Sequence, residues 1–317
     1  MLQSQAQEIP AQVGEHVAGK AHEGFNAGET IIEHVSNSSI DHPLIHLPTV
    51  FGIDFSVTKL VFMLWLVSAS IFVVVTWIVR RHLGQKRQVP TGAMNGLEYM
   101  VEFVRDSIVE PNVGRKWVDT WTPLLLTLFV FILGANLIGL IPVFDALALL
   151  NHFVLHAGHE SFLGSVIHGG TTATANFNVT AGLATITFAA IIIAGSKAHG
   201  FITHFKNLVP HGLAWPIYIL LIPIEVMGLF VRPFALTMRL AANMTGGHIA
   251  ILAILSFVFL FAEMFGQAMA GIGVGLAVSV PLAVGISGLE LIVVLVQAYV
   301  FTLLTAVFIG MAIHAHH

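Results

Sequence analysis

Cysteine is absent from all 317 residues, which excludes disulfides, thiolate metal sites and a cysteine nucleophile. Charge is scarce too: Asp, Glu, Lys and Arg make up 9% of the chain. A soluble domain carries about 25%, so a soluble globular fold is excluded. The first 56 residues lack the basic start and apolar core of a cleaved signal peptide. They are therefore expected in the mature protein. Nothing in the composition points to nucleic acid.

What remains is apolar. Hydrophobic residues make up 56% of the chain and the mean hydropathy is +0.87, the signature of a polytopic membrane protein. The expected fold is all-α, with about five transmembrane helices and one amphipathic surface helix. Two regions are expected: a polar extracytoplasmic tail over 1–56, and a membrane domain over 57–317 interrupted by an extracytoplasmic insert at 143–174.

The first span is predicted at 57–79, ending at Arg80 and Arg81, long enough for a hydrocarbon core of about 30 Å. Over 93–110, Leu97, Met100, Val101, Val104 and Ile108 recur at helical spacing. Glu98, Glu102, Arg105 and Asp106 point elsewhere, so this segment predicts an amphipathic helix on the membrane surface. Further spans are predicted at 121–141 and 177–196. Residues 212–265 and 271–314 are then almost continuously apolar. Each run holds either two spans or one strongly tilted helix, and periodicity does not choose between them. Pro216, Pro223, Pro233 and Pro281 permit bends in either case.

Basic residues set the expected orientation. Arg80, Arg81, Lys86, Arg87, Arg105, Arg115 and Lys116 crowd the loop after the first span, and Lys197 and Lys206 follow the third. The tail has only Lys20 and the insert has none. By the positive-inside rule the tail and insert lie outside, and the C-terminus lies in the cytoplasm.

Within the first long run, Glu225, Arg232, Arg239 and Asn243 fall within about 60° of one another on a helix. An arginine at the bilayer centre costs roughly 2.5–3.5 kcal/mol even on lenient scales. A chain keeps such a stripe only where something polar or functional faces it.

Two motifs carry a resemblance. The pattern Arg232, Pro233, Leu236, Arg239, Leu240, Asn243, Met244, Gly247 and His248 resembles the signature of subunit a of the rotary (F-type) ATP synthase membrane sector. The stretch from Glu290 to Gln297 is similar to that family's final helix. The likeness runs from about Asp54 to the end, apart from the insert. It implies two long tilted helices in a hairpin. It also implies a non-catalytic, proton-translocating subunit of a bacterial inner membrane, working against a rotating c-ring and held by stator b subunits, without a cofactor.

In an antiparallel hairpin, facing positions have nearly constant summed numbers. Arg239 with Gln297, and His248 with Glu290, satisfy that relation. Gln297 is thus expected to hydrogen-bond Arg239, and His248 and Glu290 to form a proton-sharing or structural pair. Many family members carry a carboxylate where His248 stands and a histidine where Glu290 stands. Asn176 stands where the family often has Asp, and Asn does not titrate. The mechanism implied has protons entering along Asn176, Asn178, His248 and Glu290 and leaving near Glu225. Between these half-channels Arg239 discharges the ring carboxylate, since a nearby cation lowers a carboxylate's pKa.

His152, His156 and His159 would share one helix face at ligand-like spacing, but a solvated polar loop is the better reading. His314, His316 and His317 are read as a solvated end. The competing class is an ion-coupled secondary transporter with Arg239 as its anion anchor. Such folds repeat their halves, and no repeat is visible here.

Overall fold

In a computed structural model, residues 58–84, 89–140, 173–206, 215–264 and 268–314 are described. The expectations for the tail and for the insert histidines at 152–168 lie outside them. Every regular element described is helical. In chain order they are α1 (Lys59–Gly84), α2 (Ala93–Glu102), a π-helical stretch (Phe103–Val109), α3 (Glu110–Val113) and α4 (Val118–Leu140). A 3₁₀ turn (Ala173–Ala175) leads into α5 (Phe177–His199), followed by α6 (Phe201–Lys206), α7 (Trp215–Met264) and α8 (Ala268–Ile313).

Five of these helices are long and apolar enough to cross a membrane, as expected. The first does not stop at Arg80 and Arg81 but runs on to Gly84, carrying both arginines on its last turns. The two apolar runs are single helices of 50 and 46 residues, unbroken at Pro223, Pro233 and Pro281. At 1.5 Å per residue the longer one extends about 75 Å. That exceeds twice a hydrocarbon core of about 30 Å, so it does not stand upright in one. α7 and α8 pack chiefly against each other, α8 also covers α4 and α5, and α1 touches little besides α4 and the start of α2.

The amphipathic segment is helical as expected, and Glu98, Glu102, Arg105 and Asp106 are exposed. Its apolar face meets protein from Val104 onward: Val104, Ile108, Val109 and Val113 are fully buried. They join a core with Trp121, Leu125, Ile132, Ile191, Leu240, Phe301 and Ile309. In lipid such helices associate by close packing rather than by expulsion of water, so small residues sit where backbones approach. Gly310 is the clearest case. A Cβ there would fall 2.1 Å from the Asn112 carbonyl oxygen, so only glycine lets α8 meet α3.

Histidines tie the basic end together. His199 Nε2 lies 2.8 Å from the Ile313 carbonyl and His314 Nε2 lies 3.0 Å from that of Val113, each at a helix C-terminus. His314 is exposed, in keeping with the solvated end expected there, yet it is anchored by that one bond, and His316 and His317 lie outside the described residues. The His204 ring packs onto Gly195. Burial first, and then the neighbouring His199, hold the His204 pKa below the ordinary histidine value.

Candidate functional site

The site is built on the α7–α8 hairpin. Both helices present exposed apolar side chains to the outside of the molecule, among them Phe230, Val231, Phe234 and Met238 on α7, and Leu289, Ile292 and Val296 on α8. Arg239 lies in this apolar surface, and it is exposed. Among the described residues it makes no hydrogen bond or ion pair. Two turns earlier, Arg232 is half-buried, with its guanidinium 5.5 Å from the centroid of the Phe308 ring on α8. One arginine is thus held inside the chain and the other faces out of it.

Gln297 is 3% exposed and its Oε1 accepts a hydrogen bond from Asn243 Nδ2 at 3.0 Å. Gln297 was expected to meet Arg239. Its partner lies four residues on, one turn further along the same stripe, so the hairpin register is displaced by a turn from the simple estimate. Asn243 itself is exposed on its outer side.

Glu290 is 5% exposed and neither of its carboxyl oxygens has a hydrogen-bond partner. In this conformation the carboxyl is therefore not hydrogen-bonded to His248, which is half-buried. It lies instead against Gly247: a Cβ at that position would fall 2.5 Å from Glu290 Oε1. One residue on a helix is 100° of rotation, and glycine alone admits a carboxyl so close to the backbone. Beside it opens a cavity of about 270 Å³ lined by Asn243, Gly247, Ile286, Leu289, Glu290 and Val293.

At the mouth of α5, Asn176 is the N-cap, its side-chain oxygen accepting from the Asn178 backbone N–H at 2.8 Å. Its amide oxygen is thereby engaged in starting the helix, and Asn178 is exposed. The 3₁₀ turn just before it is tied to α7, because Thr245 Oγ1 donates to the Ala175 carbonyl at 3.1 Å. This brings the start of α5 to within one turn of His248 along α7. Next to it, the fully buried Thr174 donates to Asn136 Oδ1 at 2.5 Å.

Along α7, Glu225 is half-buried and lies about 21 Å from Arg239 toward the start of the helix. Gly247, where Glu290 packs, lies about 12 Å beyond Arg239 in the other direction. The two carboxyl groups thus flank the arginine from opposite ends.

Sequence reasoning missed Thr245 and Thr174, and it had Gly247 in the motif without its contact to Glu290. Thr245 and Gly247 stand in a Thr-Gly-Gly run directly before His248, and that small-residue run was the available signal.

Fold and site together define a multi-pass membrane protein with ionisable groups set into a long helical hairpin. A family model described as ATP synthase A chain matches residues 61–310. The chain is 39% identical over 312 residues to ATP synthase subunit a 2 of Chlorobium luteolum, covering 96% of this chain and 81% of that one. It is 38% identical over 337 residues to ATP synthase subunit a of Anaeromyxobacter dehalogenans, covering 98% and 78%. The chain belongs to the ATP synthase A chain family.

Proposed function

We propose that this chain is the stationary proton-channel subunit of a bacterial ATP synthase membrane sector, which exchanges protons with a rotating c-ring through two offset half-channels. The observation that carries the reading is Arg239: a permanent cation in an apolar, outward-facing surface, with no partner among the described residues of its own chain. Desolvated cations are kept in membranes where a counter-charge is supplied. The apolar surface around Arg239 is suited to a second membrane protein, and a carboxylate on that protein would complete the arginine.

The outer half-channel runs past the start of α5, with Asn176 and Asn178, to the cavity beside Glu290, with His248 one residue from its glycine neighbour. A buried carboxyl without a hydrogen bond is costly unless water or a proton partner reaches it. The adjoining cavity has room for water, and on this reading His248, the residue after Gly247, exchanges a proton with Glu290 through it. The inner half-channel ends near Glu225. Arg239 lies between the two. It draws the ring carboxylate into its ionised form, and its guanidinium does not deprotonate, so it relays no proton across. Gln297 and Asn243 hold the hairpin in register one turn beyond it.

A C-terminus in the cytoplasm and an N-terminal tail outside belong to this reading, supported by the excess of Lys and Arg in the loops after the first and third spans. The c-ring and the stator b subunits are the partners this reading requires.

The test uses the absence of cysteine. Met238 is 44% exposed beside Arg239, and Met238→Cys gives the chain a single thiol. Paired with a cysteine near the ring carboxylate, it should form a disulfide to a c subunit in native membranes. Cross-links only to other proteins, at equal assembly, would overturn the placement.

A further inference from the structure

A cleft at the basic end of α1 plays no part in this mechanism. There the last turns of α1 meet the start of α2, and two cavities adjoin. One, of about 370 Å³, is lined by Trp77, Arg81, His82 and the Thr91–Ala93 turn. The other, of about 420 Å³, is lined mainly by apolar side chains, including Val79, Leu97, Leu126 and Val130. His82 and Met94 border both, so the cavities form one cleft with a basic mouth and an apolar floor.

The chemistry of the mouth is specific. Arg81 is exposed, with its guanidinium 5.3 Å from the centroid of the Trp77 ring. Among the described residues it has no carboxylate within ion-pair distance. Glu98, the acidic residue of the cleft, lines the second cavity and not the one that Arg81 lines. Trp and Arg at the end of a membrane span sit at headgroup depth. Basic pockets between membrane helices suit anionic headgroups.

We propose that this cleft binds an anionic glycerophospholipid, with its phosphate on Arg81 and His82 and one acyl chain along Val79, Leu97, Leu126 and Val130. A partner helix fits less well. Each cavity holds about one turn of a helix 10 Å across, whereas a spanning helix needs about 20 residues. An acyl chain is thin enough to follow the floor. Because α1 touches little besides α4 and the start of α2, the cleft lies beside an apolar helix that this chain leaves largely uncovered.

The test uses the full chain in phosphatidylcholine vesicles carrying increasing fractions of brominated phosphatidylglycerol or, in the second arm, brominated phosphatidylcholine. Trp77 emission is read as the difference between the chain and its Trp77→Phe variant. Phosphatidylglycerol should quench Trp77 at about a fivefold lower mole fraction than phosphatidylcholine. Arg81→Ala should erase that preference, and Val79→Phe, which fills the floor and leaves the charge, should weaken it. Equal quenching by the two lipids, or a preference that survives Arg81→Ala, would overturn the proposal. A preference unchanged by Val79→Phe would reduce it to general attraction at a basic surface and also overturn it. In the assembled complex, loss of quenching by both lipids would mean that a protein covers the cleft, which contradicts it as well.

Discussion

Arg232 and Arg239 stand seven residues apart on one helix stripe and have opposite fates. Arg232 turns inward onto Phe308 and is half-buried. A cation over an aromatic face recovers about 0.5–2 kcal/mol, depending on how far it is desolvated. That offsets part of the cost of its position. Arg239 is exposed in an apolar surface and finds nothing comparable in its own chain. Identical side chains on the same helix thus separate into one satisfied within the fold and one left for a partner. The difference is made by α8, which offers an aromatic ring at one level and turns its glutamine to Asn243 at the other.

The sharpest way to break this comparison is to remove Arg239. Arg239→Ala should abolish ATP-driven proton pumping. Arg239→Lys should also fail at coupling, since a lysine desolvated against the ring sheds its proton readily and lacks the planar fork. Dye-reported acidification of vesicles at equal assembly is the measurement, and pumping by the lysine variant near the parent level would dissolve the distinction.

Next in size is the carboxyl beyond Arg239. Gly247→Val places methyls where the Glu290 carboxyl lies. It should slow pumping about tenfold, the equivalent of 1.4 kcal/mol. His248→Ala or Glu290→Ala should slow proton flux as well, and exchanging the two residues should restore part of it. A double exchange no better than the worse single variant would show that the two do not share a proton.

Arg232 should tolerate much more. Arg232→Lys keeps the charge and should leave pumping within about twofold of the parent, well under the effect of one lost charge-assisted hydrogen bond. Phe308→Leu removes the ring and should lower stability by about 0.5–1 kcal/mol. Unfolding in mixed micelles reads the stability. A pumping loss matching that of Arg239→Ala would put both arginines in one role. The smallest effect concerns the buried Asn136–Thr174 bond. Thr174→Val should cost about 0.6 kcal/mol, the usual worth of such a bond between membrane helices. A loss above about 2 kcal/mol in the same unfolding measurement would mean that the pair does more than hold α4 to the 3₁₀ turn.

The spans were legible because a bilayer demands long apolar runs and the chain marks their ends with charge. The hairpin was not legible from composition. When almost every position is apolar, periodicity no longer says which face is buried, and only the resemblance chose two long helices over four short ones. The stripe of Glu225, Arg232, Arg239 and Asn243 was legible, since polar residues stand out against such a background. Its contacts were not. Constant summed numbers locate a facing residue only to about a turn, which is why Gln297 meets Asn243 and why Glu290 lies on Gly247. Asn176 was read as a channel-lining residue, while its hydrogen bond to the Asn178 N–H makes it a helix cap. A polar residue at the start of a span serves both descriptions, and sequence alone does not separate them.

The most direct test of the central claim compares two fluxes in the same vesicles: ATP-driven pumping by the assembled enzyme, and passive proton leak through the membrane sector after the ATP-hydrolysing part is stripped away. Measured for Arg239→Ala beside Arg232→Ala at equal assembly, the account predicts no pumping and an undiminished or increased leak for the first, with pumping retained for the second. Near-normal pumping by the Arg239→Ala variant would contradict it.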